Sequence, residues 1–292
     1  MKSNTVMRGM IGFYILLFFL YLFGPLILMS MTAFNTPNYP QAWPFEGFTL
    51  DWFVKLWNDR NMMQGLWNSI IIGIGVVCIA VPVGLAASII MSQIYYRARG
   101  LFYLVTVSPV LTPGVIIGIS TVIFWKDFLA ITDVTKAVFY KGIVLAIFGQ
   151  TSFIAAYCLL IIMARLQRFD RAQEEAALDL GASYPQVFWH ILLPFLKPAL
   201  VSAGVIAFLS SFENYNTTTF AILADKTLVT VLAGQVRQGT TPALSALAVI
   251  IIGISLAGAI TYEILKRREE AAAERAKERA KLAERSGSLA AA

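Results

Sequence analysis

RFDRAQEEAALDLGASYPQVFWHILLP, residues 168–194, lies between two long apolar runs at 142–163 and 196–221. With Arg168, Asp170, Arg171, Glu174, Glu175 and Asp179 in its first half, it is too polar to cross a bilayer. The runs on either side must therefore be separate spans that share this segment on one face of a membrane. Local chemistry predicts two short helices within it. Asp170 and Gln173 have the spacing of a capping box, and Glu174 and Glu175 fall in the first turn, where carboxylates meet the positive end of the helix dipole. Gly181 suits a left-handed helix end. Ser183 and Gln186 form a second box, Pro185 is tolerated in a first turn, and Val187, Phe188, Ile191 and Leu192 make an apolar stripe before Pro194. Ala176, Ala177 and Leu180 form a small apolar surface that another protein can approach closely.

Working outward, apolar runs of spanning length occur at 11–31, 68–91, 101–125, 142–163, 196–221 and 244–265. The expected fold is an all-α integral membrane protein of six transmembrane helices, with the helix–turn–helix loop between the fourth and fifth. Composition agrees. Of 292 residues, 58% are hydrophobic and 14% charged, far from the roughly 45–50% and 25% of soluble domains. The run at 11–31 follows Lys2 and Arg8 and is too long for a signal-peptide core, so it reads as a retained first span.

Six spans place both termini on one side. With that side cytoplasmic, Lys2, Arg8, Arg97, Arg99, Arg165, Arg168, Arg171 and Lys197 lie inside; Lys55, Arg60, Lys126, Lys136, Lys141, Lys226 and Arg237 lie outside. The loops alone are nearly balanced, and the basic stretch 266–285 supplies the inside excess that sets orientation. Charge placed in this way marks topology and not a nucleic-acid footprint, despite the net +6. The first outer loop, 32–67, carries Tyr39, Trp43, Trp52, Phe53 and Trp57, with Pro37, Pro40 and Pro44 breaking its start. It reads as an interfacial segment at the headgroup level or as a docking surface for an external protein.

Glu175-Ala176-Ala177, then Gly181, then Ile191-Leu192-Leu193-Pro194 resemble the loop signature of type I ABC importer permeases. The resemblance implies a permease core over 65–265, between a first helix with its aromatic loop (1–64) and a charged cytoplasmic tail (266–292). It implies that Glu175 and Gly181 shape a coupling loop, that Ala176 and Ala177 permit its insertion into an ATPase groove, and that Ile191 and Pro194 anchor it to the fifth span. The implied partners are two cytoplasmic ATPase subunits, a second homologous permease and a periplasmic or extracellular solute-binding protein, besides membrane lipid. No nucleic acid is expected. No G-x-x-x-x-G-K-[ST] phosphate cradle occurs, so ATP and magnesium are expected in the partner ATPase, no cofactor in this chain, and no enzymatic activity of its own. The location implied is a bacterial inner membrane. Residues 241–248, TPALSALA, and the layout around 208–220 resemble the spermidine/putrescine branch.

The expected solute pathway is Glu213, Asn214, Tyr215 and Asn216, where a polar cluster interrupts the fifth span. The alternatives are hydrogen bonding to neighbouring helices, or a span that ends earlier. Polyamine-type permeases commonly carry Asp-Asp near this place; Glu213-Asn214 has one carboxylate instead of two. Ser108, Pro109, Thr112, Pro113, Gly114 and Gly118 suggest a kinked third span, and Gln150, Thr151 and Ser152 add polarity to the fourth; a path wall or plain packing explains both. Cys78 and Cys158 sit in apolar runs as small hydrophobes, His190 has no partner at metal-ligand spacing, and the tail from 266 reads as a solvated helical extension. A polyamine-like cation is the favoured solute. The rival readings are an importer for an amino-acid derivative or an anion, and a secondary transporter driven by an ion gradient.

Overall fold

A computed structural model describes residues 2–132, 139–258, 260, 261, 263 and 264. The described residues are helical, with one isolated antiparallel bridge between Asn35 and Phe48 and no strand. In chain order the helices are α1 (Lys2–Phe34), α2 (Asp51–Asn58), α3 (Arg60–Gln93), α4 (Tyr96–Leu111), α5 (Gly114–Thr132), α6 (Gly142–Leu166) and α7 (Ala172–Asp179). Then come α8 (Tyr184–Phe212), α9 (Asn216–Ala221), α10 (Leu228–Gln238) and α11 (Pro242–Gly258). Five segments are long and apolar enough to cross a membrane: Met7–Phe34, Arg60–Gln93, Gly114–Ile131, Gly142–Leu166 and Tyr184–Phe212; Pro242–Gly258 is shorter. The predicted tail helix lies outside the described residues.

Two compact units emerge, one formed by the two ends of the chain and one by residues 59–238. In the first, α1 is joined to α11 by the Thr32 hydroxyl, which donates to Ser245 Oγ at 2.6 Å. The loop after α1 is ordered around buried Asn35. Its Nδ2 donates to the Gln41 and Pro44 carbonyls, its Oδ1 accepts from the Glu46 amide, and its carbonyl accepts from the Trp52 indole at 2.7 Å. Phe34 stacks on Phe48. Trp52 is therefore a buried core ring, whereas Trp43 and Trp57 remain exposed.

In the second unit α3, α6 and α8 form the core. Ile72, Val76 and Ala80 meet Leu145, Ile154, Cys158 and Ile162, with Leu196, Ala203 and Ala207 from α8. Lipid is as apolar as leucine, so close van der Waals packing of small residues must hold such helices together. Gly84 illustrates this: a Cβ there would lie 2.5 Å from the Cβ of Cys158.

Three expectations about helix boundaries change. The run expected as one span at 101–125 is two helices, because Pro113 has no N–H and confines Thr112 to an extended backbone (φ −83°, ψ 132°). The Pro113 carbonyl then accepts from Ile116 and Ile117 to start α5. The second helix of the polar loop does not stop before the fifth span. It passes into it through a π turn at Phe188–Leu192, in which the Leu193 N–H reaches the Phe188 carbonyl. A widened turn suits a place where Pro194 has no N–H to give to His190. Finally, the span expected over 196–221 ends at Phe212, and helix resumes only at Asn216.

Candidate functional site

The polar loop is built as two stubs around a tight corner. Asp170 Oδ1 accepts from the Ala172 amide at 3.0 Å; this is an Asx turn and not the capping box expected with Gln173, because α7 starts one residue too late for it. The end of α7 is a Schellman closure: the Gly181 N–H donates to the Leu178 carbonyl at 2.9 Å and the Ala182 N–H to the Ala177 carbonyl at 3.0 Å. Gly181 adopts φ +88°, a conformation that costs residues with a Cβ about 1–2 kcal/mol. Gln186 Oε1 accepts from both the amide and the hydroxyl of Ser183, so the second pairing forms as expected.

No residue of α7 is buried, and Leu180 is 89% exposed beside exposed Glu175 and Ala176 and half-buried Ala177. Ile191 is half-buried and Pro194 exposed. The loop is rooted at its base. Arg165 Nε donates to the Phe195 carbonyl, its guanidinium lies 4.3 Å from the Phe195 ring centre, and Phe169 packs on that ring. Arg171 reaches the Ser92 carbonyl at the end of α3 at 3.0 Å, where a cation complements the negative helix terminus.

Gly181 and Glu213 flank the two ends of α8. Tyr184–Phe212 is 29 residues, about 40 Å at 1.5 Å per residue. Its far end is a break. Glu213 caps α8 in an αR conformation with its amide donating to the Leu209 carbonyl, and its exposed carboxylate has no hydrogen-bonding partner among the described residues. Asn214 turns inward: its Oδ1 accepts from the Thr217 and Thr218 amides and the Thr218 hydroxyl, capping α9. Tyr215 accepts from Arg237 Nη2 through its hydroxyl at 3.0 Å, and Asn216 is exposed.

The residue that holds the two sides of the break is Gln150 of α6, 1% exposed. Its Nε2 donates to Thr218 Oγ1 at 2.7 Å, and its Oε1 accepts from Ser211 Oγ at 2.5 Å. One carboxamide thus spans from the last turn of α8 to α9. Its polarity within an apolar run was visible in the sequence; its partners were not. Gly114, at the start of α5, packs on the same junction, where a Cβ would lie 2.9 Å from Thr217 Oγ1. The breaks in the third and fifth apolar runs therefore meet. Two buried hydroxyls there, of Thr151 and Thr217, have no hydrogen-bond partner among the described residues.

A sequence model described as "Binding-protein-dependent transport system inner membrane component" matches residues 80–270, well over half of the chain. The chain belongs to that family. The permease is 28% identical over 260 residues to the putrescine transport system permease protein PotI of Escherichia coli (strain K12), covering 88% of this chain and 90% of that protein. It is equally 28% identical over 260 residues to the spermidine/putrescine transport system permease protein PotC of Haemophilus influenzae, covering 85% and 93%. Its fold matches a bacterial ABC transporter involved in the import of the acidic polysaccharide alginate, with a TM-score of 0.65 at 18% identity over 87% of this chain and 92% of that one. Among the described residues no group of His, Cys, Asp and Glu side chains could hold a metal ion.

Proposed function

We propose that this permease passes a small organic cation of the polyamine class inward across a bacterial inner membrane, driven by ATP hydrolysed with magnesium in two partner ATPase subunits. A second, similar permease completes the pathway, and a binding protein delivers solute to the outer face. Six spans follow if α11 serves as the last, with both termini cytoplasmic and the permease core over 65–265. In this reading α7 is the coupling helix. Its exposed Leu180 and small neighbours enter the ATPase groove, and the Gly181 corner passes the displacement to the base of α8. Residues 184–212 form one continuous rod from that base to Glu213, so tilting it moves the solute-facing break directly.

The observation that carries the solute class is Glu213: an exposed carboxylate, unpaired among the described residues, at a helix C-terminus, where unsatisfied carbonyls add to the negative potential. The names of the relatives point to the same class. Transport of labelled putrescine into proteoliposomes holding the whole complex tests the reading. Uptake is expected only with ATP. Glu213→Gln is expected to raise KM about tenfold or more, from loss of a charged hydrogen bond of roughly 1.5–3 kcal/mol. Uptake that follows an ion gradient without ATP would overturn the proposal.

A further inference from the structure

A cleft of about 470 Å³ opens where α4 stops and α5 begins, against α6. Its lining alternates hydroxyls with rings. Each hydroxyl has its proton committed to a carbonyl of its own helix: Ser108 to Val105 (2.9 Å), Thr112 to Ser108 (3.1 Å), Ser120 to Ile116 (2.7 Å), Thr121 to Ile117 (2.7 Å) and Ser152 to Gly149 (2.7 Å). Such back-bonding is ordinary on membrane helices, but it leaves each oxygen able only to accept. Between them Trp125 stacks on Phe148 with ring centres 4.6 Å apart and on Phe139 at 6.4 Å, and Phe124 meets it edge-on at 5.6 Å. Among the described residues no charged side chain lines the cleft, and the Trp125 indole is the one lining side chain with an N–H.

Each class of solute meets this lining differently. An anion finds lone pairs and ring faces, which repel it. A polyol lacks donors for its own oxygens. An ammonium finds both the acceptors it needs and a cluster of electron-rich rings, those of Phe124, Trp125 and Phe148. The cleft also lies beside α9 at the break, because Gly149 sits between Thr121 of its lining and Thr217: a Cβ there would lie 3.2 Å from Thr121 Oγ1 and 3.2 Å from Thr217 Cγ2.

We infer that this cleft is a second cation subsite, holding one ammonium of a diamine while Glu213 faces the other. The inference rests on the solute class proposed above and extends it. It accounts for a pathway with a single carboxylate at 213–214: the second charge is met by hydroxyl oxygens and a ring instead of a second acid. Grip without a counter-charge is weak and readily released, as a conduit requires.

Two experiments on the whole complex test it. In putrescine uptake, Trp125→Leu is expected to raise KM about tenfold, the loss of a desolvated cation–π contact. Trp125→Phe is expected to restore KM to within about threefold, and neither should change the maximal rate. An unchanged KM in Trp125→Leu overturns the subsite. Should Trp125→Leu fail to assemble, Ser152→Cys in a Cys78→Ser background decides instead. A cationic methanethiosulfonate is expected to label it at least tenfold faster than the sulfonate analogue, after correction for their rates with a free thiol. Equal corrected rates overturn the cation preference. This ratio needs no transported solute, so it separates the two ideas: if the wild-type complex takes up neither putrescine nor spermidine, yet the Ser152→Cys complex labels with the cationic bias, the polyamine reading is lost and the subsite is kept.

Discussion

Replacing Gln150 by Leu removes the carboxamide that joins the last turn of α8 to α9 while leaving nearly the same side-chain volume. The cavity contribution is therefore small, and the change isolates the hydrogen bonds. Two are lost, one at 2.7 Å to Thr218 and one at 2.5 Å from Ser211. Interhelical hydrogen bonds in membrane bundles average about 0.6 kcal/mol and reach about 1.7, so the pair is worth about 1–3 kcal/mol. Ser211 can turn its proton to a carbonyl of its own helix, and Thr218 already donates to Asn214 Oδ1 at 3.2 Å. Both therefore limit the penalty of orphaned groups and hold the figure toward the lower end. Folded and unfolded chain would be measured by titration with dodecyl sulfate in mixed micelles. Ser211→Ala and Thr218→Val each remove one bond and are expected to show about half the effect. In the cycle combining Gln150→Leu with Thr218→Val, the two changes should couple by at least about 0.5 kcal/mol. Loss of the clasp should also lower putrescine transport more than it lowers stability, since the break would no longer hold Glu213 in one place. A stability change below about 0.5 kcal/mol, or strictly additive mutations, would refute the idea that Gln150 holds the break together.

Gly181→Val forces a β-branched residue into φ +88°, costing about 1–2 kcal/mol at the loop corner, although nothing within 4 Å would collide with it. The number of putrescine molecules taken up per phosphate released should fall severalfold with the transmembrane unit still folded; an unchanged ratio would remove α7 from the coupling role. Gly84→Ala places a methyl 2.5 Å from the Cys158 Cβ and 2.8 Å from the Leu159 amide nitrogen, and backbone cannot rotate away as a side chain does. We expect a loss of about 1–3 kcal/mol from overpacking, read by the same dodecyl sulfate titration; wild-type stability would mean that α3 and α6 do not cross so closely.

Much of this protein is dictated by the order of its residues. Hydrophobic runs longer than a bilayer is thick cannot be hidden in a soluble fold, so residues 11–31, 68–91 and 142–163 announce helices that the structure places at Lys2–Phe34, Arg60–Gln93 and Gly142–Leu166. The corner at Gly181 was equally legible, because a Schellman closure needs a left-handed residue within a few positions and Gly supplies it without strain. Such signals are local: each depends on neighbours in sequence. Where helices stop inside the apolar runs was harder to read. Pro113 is tolerated within membrane helices elsewhere, and whether it bends or ends one depends on what surrounds the freed carbonyls. The polar cluster at 213–216 allowed either a continuous span or an early end. Only the folded chain decides these points. Gln150 lies 61 residues from Ser211 and 68 from Thr218, and Gly114 is about a hundred residues from Thr217. Nothing in local spacing says that these groups will meet, because hydrogen bonds and close packing between distant segments exist only once three helices have converged on the same few ångströms.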